Sequence, residues 1–207
     1  MYLTRVELNL NKRETQFAFT TPNKFHGAIE TAFKTRQNRN LWRIDRYNGK
    51  YYLLLLSEEI PDMEKFISQF GDCKILPETK EYDRLLDRIT KDSLWHFRLV
   101  ANPTYSKKTK EGRGKVTAHI TPEHQMEWLK CKSEKYGFEL IEDSYMVTSK
   151  EWKVFSKKEQ NKKVRVLFVA FEGTLIVKDA DKFKKALTEG IGRGKAYGAG
   201  LLTVNKI

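Results

Sequence analysis

Hydrophobic and polar positions alternate at the start of the chain, where Glu7 and Asn9 separate Val6, Leu8 and Leu10, the two-residue period of a strand with one face on a core. A polar turn follows. Thr21-Pro22 then has the form of a helix N-cap and first helical residue, and Phe25, Ala28, Ile29, Ala32 and Phe33 recur at helical spacing, predicting a helix over residues 22 to about 34. Apolar runs at residues 41–47 and 50–56 flank Asn48-Gly49, a pair that tolerates positive φ and suits a type I′ hairpin turn. Pro61 opens a second amphipathic segment carrying Met63, Phe66, Ile67 and Phe70, closed by Gly71, and an apolar stretch at residues 73–76 predicts another strand. The order is β-α-β-β-α-β.

A charged stretch at residues 78–92 separates this unit from a second. Trp95, Phe97, Leu99 and Ala101 alternate with His96, Arg98 and Val100 as a new strand, and Thr121-Pro122 repeats the capped helix entry ahead of Met126, Leu129 and Tyr136, with Gly137 as the stop. Residues 138–147 read as extended, and residues 164–177 form the return strand of a second hairpin. A helix over residues 179–189 presents Ala180, Phe183, Ala186 and Leu187 on one side, and residues 201–204 complete the unit. Two such units predict an α+β chain of tandem ferredoxin-like domains, residues 1–92 and 93–207. The halves share little residue identity, so the repeat is one of topology.

Composition sharpens the partner class. The chain has 207 residues, 40% of them hydrophobic and 12% aromatic, which is enough for a folded core. No apolar run reaches the roughly 18 residues of a bilayer span, since residues 51–56 are followed at once by Ser57, Glu58 and Glu59. The first residues mix acid and base without a signal-peptide core, so a cytoplasmic location is expected. Cys73 and Cys131 lack CxxC partners and are expected to be buried or inert thiols. Thirty-nine Lys and Arg against 27 Asp and Glu give a net charge of +12, which points to a polyanion, with nucleic acid ahead of an acidic membrane surface.

Five of the chain's 12 glycines, Gly190, Gly192, Gly194, Gly198 and Gly200, gather in one segment with Arg193 and Lys195. Ala196 follows Lys195 where a Walker loop needs Ser or Thr, and the segment lies after a helix instead of after a strand, so no nucleotide cofactor is expected. Glycines admit close approach of a phosphate and the two cations supply charge, which fits a docking surface for a polynucleotide backbone or a neighbouring helix. The second hairpin carries four lysines in eight positions, Lys157, Lys158, Lys162 and Lys163, with Gln160 and Asn161 between them. Lysines there would meet phosphates and the amides base edges, at a hairpin end where an A-form major groove opens. A further run, Lys107, Lys108, Lys110, Arg113 and Lys115, reads either as an RNA-contacting loop or as a connection. His96, His119 and His124 fall on different elements without ligand spacing, and adjacent carboxylates such as Glu58-Glu59 and Glu142-Asp143 point apart, so no metal centre is expected.

GIGRGKAYGAGLL, the opening YLTRVELNL, TPNKFHGAIETAF, LWRID and FRLVANPT, in that family's order and spread over nearly the whole chain, resemble the CasE family. These are RAMP-superfamily endoribonucleases that process CRISPR RNA within the Cascade complex. The resemblance implies metal-independent cleavage of precursor CRISPR RNA at the base of the repeat hairpin by 2′-hydroxyl attack. The mature RNA would stay bound among the other Cascade subunits. It also makes His26 catalytic, and an imidazole leaning back towards a helix N-terminus stands where free amides help to hold a phosphate. Relatives often carry Tyr three residues before this His, whereas this chain has Asn23, whose amide is neither acid nor base. Lys24, Lys34 and Arg36 are the cations near enough in sequence to offset charge on a phosphorane. In the family a loop comparable to the lysine hairpin contacts the repeat stem. The alternative reading is an assembly subunit that binds CRISPR RNA without cutting it.

Overall fold

The computed structural model describes residues 1–34, 40–107, 112, 114–157 and 162–207, with Lys157 and Lys162 described in their backbone only. β1 (Tyr2–Leu8) runs antiparallel to β3 (Lys50–Ser57), which also pairs with β2 (Leu41–Tyr47) across the Asn48-Gly49 turn. Asn48 and Gly49 have φ of 48° and 77°, the left-handed pair a type I′ turn requires. With β4 (Glu78–Glu81) on the far side of β1, the first sheet has the order β2-β3-β1-β4. The second, built from β5 (Leu94–Ala101), β8 (Phe138–Lys157), β9 (Lys162–Val177) and β10 (Leu202–Lys206), has the order β10-β5-β9-β8. Both sheets place their four strands, counted along the chain, as 2-3-1-4 or its reverse, so the fold is α+β with tandem ferredoxin-like units.

Helices cover one face of each sheet. α1 (Arg13–Thr20), α2 (Asn23–Glu30) and α3 (Glu64–Phe70) serve the first, and α5 (Pro122–Lys135) and α6 (Ala180–Glu189) belong to the second unit, with α4 (Asp83–Leu86) on the segment between the sheets. Thr121 and Asp179 cap α5 and α6 by accepting from the amides of His124 and Lys182.

Several expectations are corrected. The helix expected over residues 22–34 ends at Glu30, and a separate α1 occupies what read as a polar turn. Pro22 pushes Thr21 out of helical geometry (φ −134°, ψ 73°), which breaks the two helices apart, and Thr21 makes no side-chain cap. Residues 73–76 form no strand, and Leu76 is 84% exposed. The fourth strand is instead the fully exposed Glu78–Glu81, part of the stretch read as a charged separator, since an edge strand needs only backbone partners and its charges deter pairing with other chains. Tyr82 and Ile89 then bury themselves in the second core cluster.

The first cluster lies between α1–α3 and the sheet, with Phe25, Ile29, Trp42, Leu53, Phe66 and Phe70 at its centre. Strand alternation sends Leu41 and Leu56 to the opposite face, where they join the core of the second unit. The inner part of the first sheet is therefore buried on both sides, while its edge strand β4 stays exposed. At this junction Arg43 is 2% exposed and donates to Asp45 twice (2.9 and 2.7 Å), to the carbonyls of Arg98 (3.0 Å) and Leu201 (2.8 Å), and to Thr203 Oγ1 (2.8 Å). Arg98 continues the network to Asp45 at 3.0 Å and to Glu172. Burial pushes the Asp45 carboxyl up, but Arg43 and Arg98 together outweigh it and hold Asp45 below the usual aspartate range. Burial lowers the Arg43 guanidinium.

Candidate active site

α2 carries His26 directly after Phe25, whose burial in the first core fixes the helix rotation and turns His26 towards the surface. The His26 side chain is 37% exposed, and its Nδ1 lies 3.8 Å from Glu30 Oε1 one turn on. Asn23 begins the same helix, and its Oδ1 is enclosed without a hydrogen-bond partner among the described residues. Lys24 places its ammonium 5.9 Å from the Phe17 ring centroid, Lys34 is exposed, and Arg36 lies outside the described residues.

The glycine-rich segment reaches α2 from the far end of the chain. Its 3-10 turn, Lys195–Tyr197, packs against α2 and β2. All five glycines have positive φ, and three of them are explained by the interior. A Cβ on Gly198 would lie 2.8 Å from the Trp42 ring, one on Gly190 2.8 Å from Leu41, and one on Gly200 2.9 Å from the Ile191 carbonyl. Close approach of protein to protein, and not of phosphate, sets those three. Gly192 faces Trp128 at 3.2 Å, while Gly194 has no neighbour nearer than 3.5 Å and adjoins the exposed Arg193. Lys195 donates to the Glu189 carbonyl, tying the loop to the end of α6.

The third contributor is the arm formed by the outer halves of β8 and β9, where Ser156 pairs with Lys163 and Lys157 with Lys162. Phe155, 5% exposed, meets Tyr197 edge-on at 4.9 Å and so fastens the arm to the glycine-rich segment. Lys163 is exposed, and Lys158, Gln160 and Asn161 lie outside the described residues. Between α1–α2 and the arm opens a cleft of about 330 Å³, with Phe19, Tyr51, Arg46, Lys153 and Tyr197 in its wall; His26 is not among its lining residues. Arg46 lies over the Tyr51 ring at 5.8 Å, and on the arm Arg165 lies over the half-exposed Trp152 at 4.8 Å. Reading the sequence missed Tyr197, Phe155, Arg46 and the Trp152–Arg165 pair as contributors. Only Trp152, an aromatic between Lys150 and Lys153, carried a local signal.

Cys73 and Cys131 are both exposed, contrary to the burial expected as one option for them. Among the described residues no three His, Cys, Asp or Glu side chains gather as metal ligands. None of their helices is long and apolar enough to cross a membrane.

The family model described as CRISPR associated protein matches residues 1–206. The CRISPR-associated endoribonuclease Cse3 of Thermus thermophilus is 29% identical over 216 residues, covering 99% of each chain. A structure of CRISPR endoribonuclease Cse3 bound to 19 nt RNA superposes with a TM-score of 0.83 at 26% identity, covering 99% of this chain and 100% of that one. The Thermus thermophilus Cse3 bound to an RNA representing a pre-cleavage complex gives 0.81 at 25% identity, covering 99% and 98%. With both ferredoxin-like sheets and almost every residue of the chain inside the match, this chain belongs to the CRISPR-associated protein family that includes the Cse3 endoribonucleases.

Proposed function

We propose that this chain is a metal-independent endoribonuclease that cuts precursor CRISPR RNA at the base of the repeat stem-loop, with the 2′-hydroxyl of the ribose as nucleophile. The observation that carries this reading is the meeting of three distant segments: the helix of His26, the cationic 3-10 turn of Lys195, and the basic arm fastened through Phe155 and Tyr197. A stem along the arm would bring its base to α2. There His26 moves a proton, either from the 2′-hydroxyl or to the departing 5′ oxygen, while Arg193 and Lys24 offset phosphate charge. The bond from phosphorus to the 5′ oxygen breaks as the 2′ oxygen attacks, leaving a 2′,3′-cyclic phosphate and a 5′-hydroxyl. The product then stays on the arm, to be carried within an RNA-guided complex.

The test is incubation of pure protein with labelled repeat RNA in excess chelator, with both new ends analysed. His26→Ala is expected to retain RNA binding and to lose about 10²- to 10⁴-fold in rate. Cleavage of a substrate with deoxyribose at the cut would exclude the proposed nucleophile. One observation favours the second reading, an RNA-binding subunit that does not cut: Asn23, with its unpartnered Oδ1, offers no ionisable group beside His26. Intact RNA after prolonged incubation with the native protein would decide for it.

A further inference from the structure

Between β5 and α5 the chain leaves the second sheet as a two-stranded ribbon, β6 (Thr104–Lys107) and β7 (Lys115–Ala118). Its register pairs Tyr105 with Thr117 and Lys107 with Lys115, and alternation puts these four side chains on one face, against which His119, just past the end of β7, sets its ring. Tyr105 is 43% exposed and stands 4.8 Å from the His119 ring, which is 6.0 Å from the His124 ring, at mutual tilts of 41° and 38°. The base of this row is held by hydrogen bonds. The His119 amide donates to the Pro103 carbonyl, Gln125 donates to the carbonyls of His119 and Ile120, and His124 Nδ1 lies 3.1 Å from Thr121 Oγ1. Burial, then the proximity of His124, lowers the His119 pKa, which favours the neutral ring as an aromatic surface.

The tip has the opposite character. Two exposed lysines directly opposite on a bare ribbon repel each other, a pairing that an anion between them relieves. A ladder of half-open rings ending in a pair of cations is the composition of a single-strand platform, where rings take base faces and lysines take phosphates. Its foot is tied to the segment that packs on the helix of His26. The tie is a backbone bridge between Asn102 and Arg193 of the glycine-rich segment, whose 3-10 turn makes the contact with that helix. RNA continuing past the cut would run over Arg193 and reach Tyr105.

Resting on the proposed function, we infer that the Tyr105–His119–His124 face of the ribbon, with Lys107 and Lys115, binds the unpaired ribonucleotides on the 3′ side of the cut. It would orient the leaving strand before cleavage and release it afterwards.

The experiment measures binding of non-cleavable RNAs, blocked by a deoxyribose at the cut, as a stem alone, with a short 3′ extension, or with a short 5′ extension. For the native protein the 3′ extension tightens binding about tenfold. Tyr105→Ala removes that gain and leaves the stem-alone affinity unchanged, and Tyr105→Trp, which keeps a stacking face, restores it. Lys107→Gln with Lys115→Gln lowers the salt slope for the 3′-extended RNA by roughly 1.4, about 0.7 per lost phosphate contact. Equal weakening of all three RNAs by Tyr105→Ala, an effect confined to the 5′ extension, or no effect overturns the inference; the last leaves a protein partner as the occupant of this face. The stem-alone RNA reports on the proposed function, and the difference between extended and unextended RNAs reports on the ribbon.

Discussion

Replacing Arg43 by Met tests whether one buried guanidinium holds the two sheets in register. Met fills much of the volume of the arginine stem but none of its five hydrogen bonds, so the change isolates the polar network. The groups left behind are unequal. The Arg98 carbonyl keeps a bond from Thr203 Oγ1 at 3.3 Å and Asp45 Oδ1 keeps Arg98, but the Leu201 carbonyl and Asp45 Oδ2 lose the donors described here. Stranding one partner of a buried ion pair costs about 3 to 5 kcal/mol, the range expected for a guanidinium only 2% exposed. With a urea m-value of about 2 to 3 kcal/mol per molar, the unfolding midpoint should fall by roughly 1 to 2.5 M. Arg43→Lys keeps the charge and loses the fork, and is expected to recover only a small part. Arg43→Met combined with Asp45→Leu removes both charges and should cost less than the sum of the single changes. A midpoint shift equivalent to less than about 1 kcal/mol, or strict additivity in the double variant, would refute this account of the junction.

Asp45 also predicts an acid limb. Its folded carboxyl titrates below its unfolded value, so its contribution is present above the ordinary aspartate range near pH 4 and is lost as pH falls through the folded value. Asp45→Asn should flatten the decline of thermal stability below about pH 4 while lowering stability at neutrality. Gly198→Ala forces a Cβ to within 2.8 Å of Trp42 at a φ of +90°, and should destabilise by about 2 to 4 kcal/mol in a melting experiment and slow RNA cleavage with it. Phe155→Ala unfastens the arm from Tyr197 and should weaken binding of the repeat stem more than it lowers the melting temperature of the whole chain, as read by titration and calorimetry.

The elements that were legible in the sequence are those whose signal is local. Asn48-Gly49 names its own turn, Thr121 with Pro122 its own helix start, and the 3.6-residue spacing of Phe183, Ala186 and Leu187 its own buried face. Edge strand β4 and helix α1 escaped because neither buries a regular apolar stripe. β4 is polar throughout and is made a strand by backbone bonds to β1, and α1 buries only Thr15 and Ala18. His26 was singled out by the motif around it, whereas Tyr197 and Phe155 become partners only when the chain brings positions about forty residues apart together.

The amino-acid pattern by itself determined two rounds of β-α-β-β-α-β and a strongly cationic surface, because periodicity, turn chemistry and charge are properties of neighbours along the chain. Tertiary structure alone decided what the glycine-rich segment is for. Its glycines gather in one stretch of sequence, but the reason for Gly190 and Gly198 is the space taken by Leu41 and Trp42, side chains far away along the chain. That packing seats the 3-10 turn beside the helix of His26, a relation between segments at opposite ends of the chain that no local pattern encodes.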